Sequence, residues 1–399
     1  MAEKGILSGY TVLDLSSVVL GPYASQFLGD LGAEVIKIES PEGDIMRHAG
    51  PMRSKGMGPI YLTINRNKRA VTLDLAKPEA KEILNRLIET ADVFFHNIRA
   101  SGIKRLGFDY DSVRAIRPDI VYVHAVGFGS GGQYEGRPAY DDLIQAVSGL
   151  AMMLPRQDGS SAPRYFPGLM ADKTTALFAA NALLAGLLHR ERTGEGQFIE
   201  VPMMECMVAF NMVENLFGHA FVPPLGDTAY SRSVSPNRKP YATRDGYIAV
   251  MPYSDHNWQQ FFTLGGMPEL ATDPRFATYP ARTANIDELY SLSEKICAQK
   301  TTDEWMVLLT QANVPCARVH SLETVLEDRQ IADTGLAEVR QHPSEGEYRA
   351  IHQPIRFSAA PCPIRREPPK QGADTEPVLE ALGYSGPQIA ELRKSGAVG

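Results

Sequence analysis

Cysteine is scarce in this chain. The 399 residues contain four, Cys206, Cys297, Cys316 and Cys362, all far apart. None forms a CxxC pair or stands near a histidine at ligand spacing, and the nine histidines are scattered. The spacing argues against a zinc site, so no metal is expected. The thiols read as reduced, in a reducing, cytoplasmic compartment.

Positive charge is also short. Forty Lys and Arg against 47 Asp and Glu leave a net charge of −7. That argues against nucleic acid or an anionic membrane as the main partner, and leaves room for a local basic pocket. No apolar run is long enough to cross a bilayer. The longest, Ala176–Leu188, is interrupted by Asn181 and reads as a buried helix. The opening MAEKGILSGY lacks the apolar stretch of a secretory signal. Nucleotide fingerprints are missing too: the first strand–helix turn reads SSVVLGPYAS, with no GxGxxG, and neither GxxxxGK[ST] nor GxSxG occurs.

What is present is a rhythm. TVLDL (Thr11–Leu15) reads as a strand, Gly21-Pro22 opens a helix that Gly32 ends, and EVIKIE (Glu34–Glu39) is a second strand. Strands follow at Ala70–Leu75, Asp92–His96 and Asp119–Ala125, with a helix at Pro78–Thr90 carrying Ile83, Leu84, Leu87 and Ile88 on one face. This alternation implies an α/β, Rossmann-like, doubly wound parallel sheet. A glycine-rich loop (Gly127–Gly136), helices at Asp141–Leu154 and Asp172–Arg192, a strand at Gln197–Val201 and a helix at Glu205–Phe217 come next. From Phe221 to Pro240 the texture turns to Pro, Ser and Gly without periodicity, as in a domain crossing. A smaller unit follows, starting at Tyr247–Met251. Expected boundaries are 1–220 for the large domain, 221–325 for the linker and small domain, and 326–399 for a segment that returns to the large one.

In open α/β sheets ligands bind beyond the carboxyl ends of the strands. Cations gather near such positions: Lys68 and Arg69, then Arg99, Lys104 and Arg105 beside Asn97, and Arg137 after the glycine loop. They fit a phosphorylated ligand, or equally a solvated basic face. Asp172 stands just before the apolar helix, where backbone N–H groups favour a carboxylate. An ionised carboxylate beside apolar surface is a plausible covalent nucleophile; the commoner reading of Asp there is a plain N-cap. Tyr140, Asp141 and Asp142 sit where a loop enters a helix, again either as a cap or facing the same cleft.

At these residues the chain resembles the class III CoA-transferase family, which includes formyl-CoA transferase, carnitine CoA-transferase and α-methylacyl-CoA racemase. The resemblance is carried by VLDLSSVVLGPYASQFLGDLGAEVIKIESPEGD (Val12–Asp44), NKRAVTLDL (Asn67–Leu75), HNIRASGIKRLGFDY (His96–Tyr110), AYDDLIQAVSGL (Ala139–Leu150), GLMADKTTALFAANALLAGLLHRERTGEGQFIEVPM (Gly168–Met203), DPRF (Asp273–Phe276) and VPCARV (Val314–Val319). It implies a CoA-transferase that moves CoA from an acyl-CoA thioester to a carboxylic acid, with Asp172 as the nucleophile, through an aspartyl anhydride and an aspartyl-CoA thioester. It implies that Val19, Leu20, Leu73, Asp74, Asn97, Ile98, Arg105, Tyr140 and Asp141 line the site for coenzyme A. Arg99 and Arg137 are added as candidate contacts from their place after the strands. It implies an open ring built from a large domain of both chain ends and a smaller α+β domain, two rings interlocking as a homodimer.

The pattern departs from oxalate-specific members. Val19 stands where they carry Gln, Ser40 where they carry Arg, and their active-site glycine-run loop has no counterpart here. Two alternatives remain. A 2-methylacyl-CoA racemase needs a His directly before the Asp of the Asp141 segment, where this chain has Tyr140, a poor proton carrier near neutral pH. A non-catalytic CoA-binding protein is the other, and the retained Asp172 argues against it.

Overall fold

The computed structural model describes residues 5–399. Six short strands, β1 (Thr11–Asp14), β2 (Glu34–Glu39), β3 (Lys68–Thr72), β4 (Val93–His96), β5 (Val121–Val126) and β6 (Gln197–Pro202), form one sheet in the order β3-β2-β1-β4-β5-β6. Every pairing is parallel. The central strands β1, β4 and β5 are mostly apolar because both faces are covered, and Val12, Leu13, Val93, Phe94, Val121 and Val123 are fully buried.

The helices between them are α1 (Leu20–Asp30), α2 (Pro59–Ile64), α3 (Pro78–Thr90), α4 (Ala100–Leu106), α5 (Tyr110–Ile116), α6 (Asp141–Val147), α7 (Met153–Asp158) and α8 (Met170–Thr193), and α9 (Met203–Asn215) follows β6. The chain winds outward from β1 to β3, then crosses back to β4 and winds the other way. The turns after β1 and β4 therefore face each other across the point where the winding reverses, the place such sheets offer a ligand. The close fit of α8 on the sheet depends on Gly186. A Cβ there would lie 2.5 Å from Val121 Cγ1 and 2.9 Å from Ile199 Cδ1.

The chain separates into two compact units. The first comprises residues up to Ser148, Phe166–Phe210 and Gln330–Gly399. It thus takes in the last seventy residues, including α14 (Arg329–Thr334) in part, the β10–β11 hairpin (Ala337–His342 and Gly346–Ile351), α15 (Thr375–Ala381) and α16 (Gly386–Lys394). Val378, Leu379, Ile389, Ala397 and Val398 join the core of Leu13, Ile36, Val71, Ile83 and Phe94. Asp374 exchanges two bonds with Ala70, and Leu73 bridges Val398.

The second unit holds Gly149–Tyr165 and Asn211–Arg329. It has a three-stranded antiparallel sheet, β7 (Tyr241–Ala242), β8 (Tyr247–Val250) and β9 (Cys316–Arg318), with α10 (Asp255–Leu264), α11 (Tyr279–Ala284), α12 (Ile286–Cys297) and α13 (Thr302–Gln311). Trp258, Phe261, Phe262, Phe276 and Trp305 fill its core.

These limits differ from an unbroken first unit running to 220. The helix expected over Asp141–Leu154 stops at Val147, because Gly149 adopts a left-handed φ of 83°. From Gly149 the chain leaves the first unit and re-enters it at Phe166.

Candidate active site

The site begins with α8. Its N-cap is Leu169, which offers no side-chain bond, so Asp172 is not the cap but the third residue of the helix. Its backbone N–H donates to Asp141 Oδ1 at 2.9 Å. Asp141 opens α6 and is buried, and its other oxygen accepts from Gln145 Nε2 at 2.6 Å, one turn on. Gln145 is fully buried and also ties down the approach to α8: its Oε1 accepts from Phe166 N at 2.8 Å, and its Nε2 donates to Gly168 O at 3.1 Å. Two helix starts far apart in sequence are thereby locked together.

The Asp172 carboxylate itself has no hydrogen-bond partner among the described residues, and the residue is 8% exposed. Burial first, and then the charge of Asp141, push its carboxyl up to about 7. A helix start alone would hold it low; desolvation and a like charge outweigh that here. The result is a carboxylate with little solvation, close to half ionised at neutral pH, and so a competent nucleophile when ionised.

Asp172 lines a cavity of about 480 Å³ at the carboxyl ends of β1, β4, β5 and β6. Leu20, Asn97, Arg99, Arg137 and Tyr140 share its walls, with an aromatic stretch of Tyr110, Tyr122 and Phe198. A second cavity of about 380 Å³ takes Leu73, Asp74 and Ile98. Ser17 lines both. Of the residues expected at the site, these two cavities hold all but three. Val19 is buried at the N-cap of α1, Asp141 lies buried against the Asp172 backbone, and Arg105 is exposed and lines neither cavity.

The cations sort themselves. Lys68 and Arg69 are not available to a ligand. Lys68 is fully buried within β3, donating to Asp14 Oδ2 at 3.2 Å, Pro22 O at 2.8 Å and Asn65 Oδ1 at 2.9 Å, and Arg69 pairs with Glu34 at 2.7 Å. Burial lowers the Lys68 ammonium to about 8 although Asp14 opposes this. Arg99, Lys104 and Arg137 line the larger cavity with no carboxylate partner among the described residues, Arg137 resting over the Tyr134 ring at 4.5 Å.

Sequence reading passed over the turn that separates the two cavities. Asn97 grips Ser17 on both sides, accepting from its N–H at 3.0 Å and donating to its C=O at 2.9 Å. The next residue, Val18, has a φ of 72°. For a β-branched residue this is a genuine outlier, costing about 1–3 kcal/mol unless its surroundings enforce it. Behind the β4 turn, His96 Nδ1 accepts from Ile98 N at 3.2 Å, and His124 Nε2 lies 2.8 Å from Ile98 O. Burial holds both imidazoles below the usual range, His96 strongly so with His124 stacked on it.

The model for CoA-transferase family III matches residues 7–375. A succinyl-CoA:glutarate CoA-transferase of Mus musculus is 32% identical over 98% of this chain and 90% of its own. A formyl-CoA:oxalate CoA-transferase of Streptomyces coelicolor is 32% identical over 98% and 99%. The crystal structure of a CAIB/BAIF family protein from Brucella suis superposes with a TM-score of 0.81 at 31% identity, covering 95% of this chain and all of that one.

Proposed function

This chain belongs to CoA-transferase family III, and on that premise we propose that its transferase activity runs through Asp172. The carboxylate attacks the donor thioester carbonyl. The C–S bond breaks, leaving an acyl-aspartyl anhydride and CoA thiolate. The thiolate then attacks the aspartyl carbonyl, releasing the donor acid and forming an aspartyl-CoA thioester. The acceptor carboxylate repeats the two steps in reverse order, and the new acyl-CoA leaves with Asp172 restored. No redox change occurs and no proton is gained or lost overall.

One observation carries this reading: the Asp172 carboxylate is buried and unbonded, yet faces a cavity large enough for a thioester. Its N–H is spent on Asp141, so the carboxylate is positioned without being neutralised. Arg99, Lys104 and Arg137 offer unpaired positive charge to the phosphates of coenzyme A, and Leu73, Asp74 and Ile98 line the adjoining cavity. No described group of His, Cys, Asp and Glu is arranged to hold a metal ion, and the steps above call for none.

The same reading includes a homodimer. Helix α8 is apolar nearly all round; Ala179, Leu183 and Leu187 are buried while Leu177, Phe178, Leu184 and Leu188 are exposed. A helix of that character calls for cover on its second face. No described helix is long and apolar enough to cross a membrane. The four cysteines are free thiols, which suits a cytoplasmic setting.

The test is chemical. The protein incubated with its acyl-CoA donor and then hydroxylamine should be inactivated by conversion of Asp172 to the hydroxamate. Asp172→Ala should fold, bind CoA and transfer nothing. Turnover near the native rate in that variant overturns the proposal.

A further inference from the structure

A strained residue persists only where its neighbours over-determine it, and it is kept most often where function uses it. Val18 is such a residue, at φ 72° on the wall of the cavity that Asp172 lines. Besides the local bonds of Ser16 to Asp14, four bonds from more distant residues converge on it and its two predecessors. Asn97 takes both polar groups of Ser17. Lys37 Nζ donates to Ser16 O at 2.8 Å. Asp44 Oδ1 accepts from the Val18 N–H itself at 3.1 Å.

Asp44 is in turn held from behind. Lys37 Nζ donates to its Oδ2 at 3.0 Å, and both side chains are buried. Its own N–H donates to Glu39 Oε1 at 3.0 Å, and Glu39 is paired with Arg47. Lys37 and Glu39 are neighbours on β2, so the clamp is anchored in the sheet rather than in a loop. Asp44 Oδ1 also caps the short turn Ile45–His48 by accepting from Met46 N at 3.0 Å. A cap alone, however, would need neither the buried ammonium nor a bond reaching back 26 residues.

Resting on the CoA-transfer reading of this cavity, we infer that Asp44 is a positioning residue of the reaction: backed by Lys37, it holds Val18 in the left-handed conformation that shapes the cavity wall. It touches no reacting atom. Its effect passes through the backbone of residues 16–18, the segment that separates the two cavities.

Glycine adopts a positive φ without strain, which supplies the test. Asp44→Ala should lower kcat by roughly ten- to a hundredfold, with the KM for the acyl-CoA changed far less. In a Val18→Gly background the same Asp44→Ala change should lower kcat by less than about threefold, because glycine at this position needs no clamp. An equal loss in both backgrounds, as expected of a residue that merely supports the fold, overturns the inference. A crystal structure of Asp44→Ala gives an arm independent of catalysis. Val18 relaxed to negative φ supports the clamp, and Val18 unchanged near 72° refutes it. If the native protein moves no CoA between acids, the transfer reading fails on that measurement, while the structure still decides whether Asp44 sets Val18.

Discussion

Asp141 seats Asp172 and opposes its charge at once: Oδ1 of the one accepts the backbone N–H of the other at 2.9 Å, and the same carboxylate raises the affinity of Asp172 for a proton. The arrangement has a pH consequence with a definite sign. The nucleophile is the ionised form, and a carboxyl raised to about 7 is mostly protonated below that pH. Activity should therefore climb roughly tenfold per pH unit below about 7 and level off above it. Asp141→Asn keeps an acceptor for the N–H but removes the like charge, so the midpoint should move down. Burial, the larger cause, remains, so it should not fall to an ordinary carboxylate value. The check is kcat/KM for the acyl-CoA across the range in both proteins; an unmoved midpoint would show that Asp141 does not tune Asp172.

Arg99 and Arg105 divide a question between them. The family resemblance points to Arg105 as a CoA contact, whereas the cavity wall holds Arg99 and leaves Arg105 exposed to either side. A charge-assisted bond to a phosphate contributes about 1.5–3 kcal/mol. Arg99→Ala should raise the KM for CoA thioesters roughly ten- to a hundredfold, and Arg105→Ala should do less. The reverse ranking would mean that the phosphates lie outside these cavities.

The proposed transfer chemistry also carries a prediction about Tyr140. That residue lines the cavity that Asp172 lines, and the resemblance implies His at this position in a racemase. Transfer through Asp172 acts on the carbonyl alone. With a 2-methylacyl-CoA in D₂O, no deuterium should enter C2, while labelled CoA moves between acids. Rapid exchange at C2 without movement of CoA would make the protein a racemase.

Much of this was open to a reader of the sequence, and the reasons are physical. The parallel sheet announces itself because strands covered on both faces are rich in apolar residues, as at Val12, Leu13 and Val121–Val123, and alternate with helical patterns. Asp172 stands out because a lone carboxylate opens a long apolar run. What resists reading is whatever depends on a distant partner. Lys68 looks like a cation for a ligand until Asp14, 54 residues away, is found beneath it. The raised carboxyl of Asp172 depends first on burial and then on Asp141, 31 residues off. Gln145 and Asp44 lie in segments that carry the resemblance, but only the fold shows what each one touches. The break at Gly149 is a single left-handed residue in a pattern that otherwise continues as a helix.

The way the last residues enter the first core also governs how this protein can be made. All six strands of the large sheet lie before residue 203, yet Val378, Leu379, Ile389 and Val398 complete the hydrophobic cluster beside β3. On the ribosome the sheet emerges long before its cover does, and for the whole synthesis of the second unit that apolar face has nothing native to meet. The large unit can finish folding only after Val398 has been made and bridges back to Leu73. A chain cut within Gly386–Lys394 would therefore carry every strand and Asp172 itself, but leave that cluster without Ala397 and Val398.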